Sequence, residues 1–249
     1  MSYKDSIYTG TSNIVLPIPN KQLFPPDYQD KSRLCYYASL FNSLEVNSSF
    51  YKLPMQSTVQ KWAADVPADF KFTFKLWRDI THNKDLAFNL ADVERFMKVI
   101  SGSGDKKGCL LVQFPPSLGV NTNQLTHLLS AITANNPNNE WKVAIEFRNR
   151  SWYRDDIYEL LEKYQAAMVI QDMPASATPF IDSDVPFVFV RFHGPNGGYR
   201  GSYADDFLAE YASYINDWQD EGKTIYAYFN NTMGEAVQNL ITLDRLIGI

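Results

Sequence analysis

Residues 144–148 read Ala-Ile-Glu-Phe-Arg, an apolar, strand-like run that carries two opposite charges. Strand side chains point alternately to the two faces of a sheet, so Glu146 and Arg148 share one face while Ile145 and Phe147 share the other. The apolar face suits packing against helices, and the charged face then points to the opposite side of the sheet. Because a closed parallel barrel gathers such strand ends into one pocket, this stretch predicts both a fold and the place of a site.

The same alternation recurs along the chain. Residues 189–193 read Phe-Val-Arg-Phe-His, which places Arg191 and His193 on one face. Apolar stripes with helical spacing lie between most of these runs, as at residues 125–132. The strand candidates are residues 7–11, 44–47, 70–75, 109–114, 142–147, 167–172, 187–193 and 224–230.

Regular alternation of strand and helix predicts a single α/β domain over residues 1–249, folded as a closed parallel (β/α)8 TIM-type barrel. The segment 173–186 before the seventh strand contains three prolines, which predicts an irregular or missing sixth helix. An open, doubly wound sheet is the alternative fold. Ser202 and Asp205 have the spacing of a capping box, which would start the following helix.

The composition argues against several classes of protein. A formal net charge of −5, with no cluster of lysine and arginine, argues against nucleic acid as a partner. Cys35 and Cys109 are far apart, which argues against a disulfide framework or a zinc site made of thiolates. The charged segment 1–5 lacks the apolar core of a signal peptide, and no apolar run approaches the ~18 residues of a membrane span. We therefore expect a cytoplasmic protein without membrane association.

Applied to every strand, the alternation directs one set of polar side chains into the barrel at the carboxyl ends of the strands. This predicted ring consists of Glu45, Asn47, Lys75, Gln113, Glu146, Arg148, Asp172, Arg191, His193 and Asn230. His82, in the loop after the third strand, is a further candidate. Buried charges cost free energy unless they are paired, and a core alone would be better served by aliphatic residues. The ring therefore predicts a functional site, although Glu146 by itself could simply neutralise Lys75 or Arg148.

Several motifs follow one another through nearly the whole sequence. They are Gly10-Thr11-Ser12, Glu45-Val46-Asn47-Ser48-Ser49-Phe50-Tyr51, Phe72-Thr73-Phe74-Lys75, Gln113-Phe114-Pro115-Pro116, Glu146-Phe147-Arg148, Val190-Arg191-Phe192-His193-Gly194 and Tyr228-Phe229-Asn230-Asn231. In these motifs the chain resembles the YecE-like family, which is catalogued as a domain of unknown function. The resemblance implies a TIM-type barrel and supports the place of the site, but it implies no particular reaction.

The cations of the ring favour an anionic ligand. Lys75, Arg148 and Arg191 would hold it, since arginine binds phosphate and carboxylate groups in a bidentate manner. The glycine-rich loop 194–201 follows the seventh strand, where barrels commonly bind phosphate. The sequence has no Walker motif and no G-x-G-x-x-G after the first strand, so we expect no nucleotide or other cofactor.

We expect an enzyme that acts on a small, anionic, polar substrate such as a phosphorylated or acidic sugar. Glu45, Glu146 and His193 are the catalytic candidates, because carboxylates and imidazole transfer protons. Hydrolase, isomerase and lyase chemistry all remain open. The predicted substrate-binding residues are Asn47, Lys75, His82, Gln113, Arg148, Asp172, Arg191 and Asn230. On this interpretation, replacing Glu146 by glutamine should weaken function and leave folding intact.

Two other interpretations use the same ring. The first is a ligand-binding or sensor barrel without turnover. The second is a metal-dependent barrel resembling a nuclease or an isomerase, with Glu45, Glu146, Asp172 and His193 as mixed oxygen and nitrogen ligands. The neighbouring cations would repel a metal ion, so the prediction is for a site without metal.

Overall fold

The computed structural model describes residues 6–249. The segment 1–5, on which the expectation about a signal peptide rests, lies outside this range. The described chain forms two parallel β-sheets with helices in the connections. The strands are β1 (Ile7–Thr11), β2 (Ser43–Val46), β3 (Lys71–Lys75), β4 (Lys107–Gln113), β5 (Lys142–Glu146), β6 (Ala167–Met168), β7 (Ile170–Gln171), β8 (Phe187–Phe192) and β9 (Thr224–Phe229).

The strand order is β1-β9-β8-β7 in one sheet and β2-β3-β4-β5-β6 in the other, and the strands pair in parallel. This confirms the prediction of an α/β fold with parallel strands. The ladder of hydrogen bonds does not run continuously around the molecule, because it is interrupted at two seams.

The first seam divides the predicted sixth strand, residues 167–172. Its first part, β6, pairs with β5, and its second part, β7, pairs with β8. Val169 lies between the two parts, where its N–H donates to the carbonyl of Ile145 (2.9 Å) and its carbonyl accepts from Oγ1 of Thr178 (2.8 Å). Both backbone groups of Val169 are therefore satisfied although it belongs to neither sheet.

The second seam lies between β1 and β2, where side chains replace most of the ladder. The carboxamide of Asn42 accepts from the N–H of Thr9 (2.9 Å) and donates to the carbonyl of Ile7 (2.8 Å). The hydroxyl of Tyr37 accepts from the N–H of Thr11 (2.7 Å). These bonds satisfy backbone groups of β1 that would otherwise be an open edge.

The two strands approach each other closely at this seam. A Cβ atom at Gly10 would lie 2.1 Å from the carbonyl oxygen of Ser43, so only glycine fits there. Just beyond β1, the N–H of Asn13 donates to the carbonyl of Glu45 (2.8 Å). This bond positions the end of β2, and with it the Glu45 side chain.

The helices of the described chain cover the outer side of the sheets. In α6, for example, the buried side chains recur at three- and four-residue spacing, at Leu125, Leu128, Leu129 and Ile132. The helices are α1 (Arg33–Ala38), α2 (Ser48–Tyr51), α3 (Gln56–Ala64), α4 (Arg78–Thr81), α5 (Leu90–Ile100), α6 (Thr122–Ala134), α7 (Asp155–Lys163), α8 (Asp205–Asp220) and α9 (Ala236–Ile247). Within residues 6–249, none of the helices is both long and apolar enough to cross a membrane.

Two local predictions about helices have different outcomes. No helix forms between β7 and β8, in agreement with the proline-rich segment 173–186. The predicted capping box is wrong: Ala204 occupies the N-cap of α8, and Asp205 is its first helical residue. The hydroxyl of Ser202 instead accepts from the carboxamide of Asn239 (3.0 Å).

The core has two parts that follow the alternation of the strands. Leu110, Val112 and Ile145 belong to the large cluster that includes the helices. Leu111 and Ala144, which point the other way, belong to a smaller cluster that contains strand residues and their neighbours. The polar residues at the strand ends continue the face of this smaller cluster.

Candidate functional site

Arg191 is the centre of a buried group of charges at the carboxyl ends of the strands. Its Nε and Nη2 donate to the two carboxylate oxygens of Glu45 (2.8 and 2.7 Å), and its Nη1 donates to Oε2 of Glu146 (2.5 Å). Ser12 donates its hydroxyl to Oε1 of Glu45 (2.5 Å). Burial lowers the pKa of Arg191, but the carboxylates of Glu146 and Glu45 outweigh this effect and raise it above its ordinary value. Arg191 therefore stays charged, with all three nitrogens donating to carboxylates.

Arg148 extends the group from β5 toward β8. Its Nε donates to Oε1 of Glu146, which thus accepts from two guanidinium groups. Burial raises the pKa of Glu146, but the charges of Arg148 and Arg191 outweigh burial and bring the pKa below its ordinary value. Glu146 is therefore ionised.

His193 lies fully buried beside both guanidinium groups. Its Nε2 is 2.8 Å from Nη2 of Arg148 and 3.2 Å from Nη1 of Arg191. Since a guanidinium can only donate, Nε2 accepts, and the imidazole carries its proton on Nδ1. That nitrogen lies 3.3 Å from Oδ1 of Asp172. Burial lowers the pKa of His193, although Asp172 acts in the opposite direction, so the ring is neutral.

Asp172 connects the charges to the glycine-rich loop 194–201. Its Oδ1 accepts from the N–H of His193 (2.8 Å), and its Oδ2 accepts from the hydroxyl of Tyr203. The same hydroxyl accepts from the N–H of Gly194 (2.5 Å). Burial, reinforced by the charge of Asp172, raises the pKa of Tyr203 above its ordinary value. Tyr199 of this loop has a left-handed backbone, with a φ of 64°. Its ring centroid is 5.8 Å from that of His193, so the loop lies against the imidazole.

Lys75, the last residue of β3, differs from these partnered charges. Its side chain is half-buried, and its Nζ lies 4.3 Å from the ring centroid of Phe50. Within residues 6–249, no carboxylate oxygen lies within 4.0 Å of this ammonium group. Burial lowers the pKa of Lys75 to about 8, and the positive charge of Arg191 acts in the same direction.

His82 makes an edge contact with Phe50, with 4.8 Å between the ring centroids. The pKa of His82 is lowered to about 4, mainly by burial and further by the positive charges of Lys75 and Arg78. The imidazole is therefore neutral near pH 7, close enough to both cations to feel their charges. His82 also lines a cleft of about 540 Å³ between the loops after β3 and β4, together with Asn121.

The three predicted amides lie at strand ends without joining the charged group. Oδ1 of Asn47 is buried and has no hydrogen-bond partner. Gln113 donates to the carbonyl of Phe114 (2.7 Å). Asn230 donates its backbone N–H to Phe192 (2.7 Å), and in the described part of the chain its carboxamide makes no hydrogen bond.

The structure thus brings six of the predicted residues into one continuous network of hydrogen bonds and ion pairs. We call this the ion network; it consists of Glu45, Glu146, Arg148, Asp172, Arg191 and His193. Lys75 and His82 lie beside it. All three nitrogens of Arg191 donate to Glu45 and Glu146, and Nε and Nη2 of Arg148 are engaged by Glu146 and His193. Among the described residues, no hydrogen bond involves Nη1 of Arg148, so Arg148 keeps a donor for an anion.

Three residues near these charges were not among the predicted site residues. Ser12 and Tyr203 are neutral hydroxyl residues outside the predicted strands, so strand alternation could not select them. Arg78 lies three positions after Lys75, and its place directly behind a strand end was the available signal.

The predicted alternative of a metal centre finds little support in this arrangement. Within residues 6–249, no group of three or more histidine, cysteine, aspartate or glutamate side chains is arranged to hold a metal ion. Glu45 and Glu146 instead direct their oxygens at guanidinium groups.

Comparisons with known proteins agree with the family resemblance. The family model described as "Protein of unknown function DUF72" matches residues 8–249. The UPF0759 protein YunF of Bacillus subtilis is 24% identical over 258 residues, which cover 91% of this chain and 90% of that protein. The UPF0759 protein YecE of Escherichia coli is 27% identical over 118 residues, which cover 47% of this chain and 42% of that protein. A crystal structure of a DUF72 family protein from Enterococcus faecalis has a TM-score of 0.80 at 22% identity, covering 98% of this chain and 96% of that one. The last comparison shows the shared fold.

Proposed function

This chain belongs to the DUF72 family, and we propose that it is a TIM-barrel enzyme that binds a small, anionic, polar substrate at the carboxyl ends of its strands. The two sheets would form the two halves of the barrel. Side-chain bonds between β1 and β2, and the shared sixth strand, support this closure, because each joins one half to the other.

A single observation carries the proposal of an anionic substrate: two cations near the site have no carboxylate partner. Lys75 and Arg78 both act on His82 electrostatically. Within residues 6–249, neither has a carboxylate oxygen within 4.0 Å. A half-buried ammonium without a counter-ion is costly, and an anionic ligand would remove that cost.

The neighbouring groups suit a polar substrate. Asn47 has a buried acceptor oxygen without a partner, and Asn230 has a carboxamide that no described residue binds. Such groups can bind hydroxyls of a sugar-like molecule. In this proposal Glu45, Glu146 and His193 remain the candidates for proton transfer, and the ion network holds them in fixed orientations.

A second candidate function is ligand binding without turnover. It is favoured by the complete pairing of Glu45 and Glu146 with guanidinium groups, which keeps both side chains engaged. Turnover would require one of them to change partners when substrate binds. The anion site beside Lys75 is common to both candidates.

Thermal denaturation in the presence of anions tests the shared part of both candidates. Inorganic phosphate, glucose 6-phosphate and malonate should each be compared with chloride at equal ionic strength. We expect at least one to raise the Tm of the wild-type protein, since a ligand that binds the folded state stabilises it. Lys75→Met should abolish this increase, whereas the exposed Lys52→Met should keep it. If none of these anions raises the Tm of the wild type above the chloride control, the proposal is wrong.

A further inference from the structure

We propose that Lys75 reacts covalently with the substrate, by forming an imine with the carbonyl carbon of a small 2-oxo acid or a related anionic carbonyl compound. This inference rests on the proposed function and deepens it. It names a substrate class and gives Lys75 the role of nucleophile.

The surroundings of Lys75 are those that an imine-forming lysine needs. A lysine is a nucleophile only as the free amine, which partial burial and nearby cations both favour. The side chain is half-buried, and burial is the largest cause of its lowered pKa. Arg191 and Arg148 act in the same direction, while the carboxylates of Glu146 and Glu45 oppose them without reversing the shift. With a pKa of about 8, about a tenth of the amine is free at pH 7, against less than about a thousandth for an ordinary lysine with a pKa near 10.4.

The contacts of Nζ leave it free to react. Phe50 offers the ammonium a ring face at 4.3 Å, which is a contact without any acceptor of a hydrogen bond. No described residue accepts a hydrogen bond from Nζ, in contrast to Lys106, whose Nζ donates to the carbonyl of Val66 (2.6 Å). A structural lysine at this depth would be expected to have acceptors of that kind.

A second cation explains why the carbonyl compound should carry a negative charge. Arg78 is exposed, lies at the start of α4, and acts with Lys75 on the same imidazole of His82. In this proposal Arg78 binds the carboxylate or phosphate, and Lys75 attacks the neighbouring carbonyl carbon. The planar carboxylate of such a compound matches the guanidinium group of arginine, which can bind it in a bidentate manner.

The chemical step needs no oxidant or cofactor. The ammonium first releases a proton to solvent, and the lone pair of Nζ forms a bond to the carbonyl carbon. The C=O π electrons move to the oxygen, and one proton passes from the nitrogen to that oxygen, which gives a neutral carbinolamine. After a second protonation the C–O bond breaks, water leaves, and nitrogen loses its remaining proton to give the neutral imine.

Reductive trapping tests the proposal directly. The full-length protein is incubated with pyruvate and cyanoborohydride, and the modified lysine is identified by peptide mass spectrometry. We expect a single major adduct on Lys75, which increases the mass of the peptide by that of pyruvic acid less one oxygen atom. Lys52→Arg removes an exposed lysine two positions after Phe50 and should leave this adduct unchanged, whereas Lys75→Arg should reduce labelling to background.

The pH dependence of labelling separates Lys75 from ordinary surface lysines. For a pKa of about 8, the free-amine fraction, and with it the labelling rate, rises only about twofold between pH 8 and 10. For an ordinary lysine with a pKa near 10.4 it rises roughly 70-fold over the same interval. Butanone, a ketone without the carboxylate, should label at least ten times more slowly than pyruvate, and Arg78→Gln should remove that difference.

The outcomes distinguish this inference from the proposed function. Lys75→Arg keeps the positive charge, so it should retain stabilisation by anions while losing the adduct. Anion stabilisation of the wild type without any adduct on Lys75 would overturn the imine and leave the anion site standing. Labelling spread over many lysines would overturn the imine as well.

Discussion

Replacement of Glu146 by glutamine should strongly destabilise the folded protein. The sequence alone led us to expect that this variant would fold normally, and the structure reverses that expectation. Glu146 is fully buried, and its two oxygens accept from Arg148 and Arg191. The glutamine would keep one acceptor oxygen but would direct an NH2 group at a guanidinium, which is also a donor.

The expected magnitude follows from the burial of the whole group. In the wild type, Glu45 and Glu146 balance Arg148 and Arg191, and the variant leaves one buried positive charge without compensation. Breaking a buried ion pair by removing one partner costs about 3–5 kcal/mol. That is a large share of the 5–15 kcal/mol, roughly, by which a typical domain is stable.

Urea denaturation followed by circular dichroism measures this loss. With an m-value of about 3 kcal/mol/M, the midpoint should fall by about 1 M or more. Glu140→Gln is the matched control, since Glu140 pairs with Lys107 at 3.2 Å but its side chain is 46% exposed. The control should lose no more than about 1 kcal/mol. If Glu146→Gln were as stable as Glu140→Gln, the charge of Glu146 would not stabilise the folded protein. The role of Glu146 would then be functional only.

Three further perturbations test other parts of the structure. Burial raises the pKa of Asp244 to about 7, so the folded state holds a proton that the unfolded chain loses near pH 4, and stability should fall as the pH rises through this window. Asp244→Asn should remove this decline in stability, as measured by urea titrations from pH 4 to 8. At 1.36 kcal/mol per pKa unit, the decline in the wild type amounts to at most about 4 kcal/mol. Gly10→Ala should lose about 1–3 kcal/mol or more in the same assay, because its Cβ would lie 2.1 Å from the carbonyl oxygen of Ser43. Tyr203→Phe removes the hydroxyl bound to Asp172, which should cost about 1–3 kcal/mol and accelerate hydrogen exchange in the loop 194–201.

Each of these has an outcome that contradicts it. Equal pH profiles for the wild type and Asp244→Asn would mean that this carboxyl is not held protonated. Gly119→Ala is the control for the seam, because its Cβ would meet only Oγ of Ser151, at 3.6 Å. If Gly10→Ala were no less stable than Gly119→Ala, the two strands would not be in close contact. Unchanged exchange of the loop amides in Tyr203→Phe would show that the hydroxyl does not hold the loop.

The sequence predicted the parallel α/β fold and the strand faces well, because both depend on local alternation. Ala144 and Glu146 had to share a face, and the structure places Ala144 in the smaller core cluster and Glu146 in the ion network. The missing sixth helix could also be predicted, since proline prevents a helix in 173–186.

Pairing between distant residues could not be predicted in this way. Alternation gives the face of Arg191 but not its partner, and its bidentate bond to Glu45 joins residues 146 positions apart. The seam at Tyr37 was also out of reach, because a helical tyrosine that bonds to a strand gives the same apolar stripe as one that only packs. The roles of Lys75 and Arg148 therefore became distinguishable only when their partners were known.

The ion network has a structural task that accounts for its place. Arg191 lies on β8, in the sheet formed by β1, β9, β8 and β7, whereas Glu45 and Glu146 lie on β2 and β5 of the other sheet. The backbone ladder does not join these two sheets continuously, so the ion pairs connect them at the carboxyl ends of the strands. Aliphatic residues could fill this space but could not fix the distance and angle between the sheets as a bidentate pair does. Any substrate that drew Glu45 or Glu146 away from Arg191 would therefore loosen the contact between the sheets, which couples ligand binding to the rigidity of the whole fold.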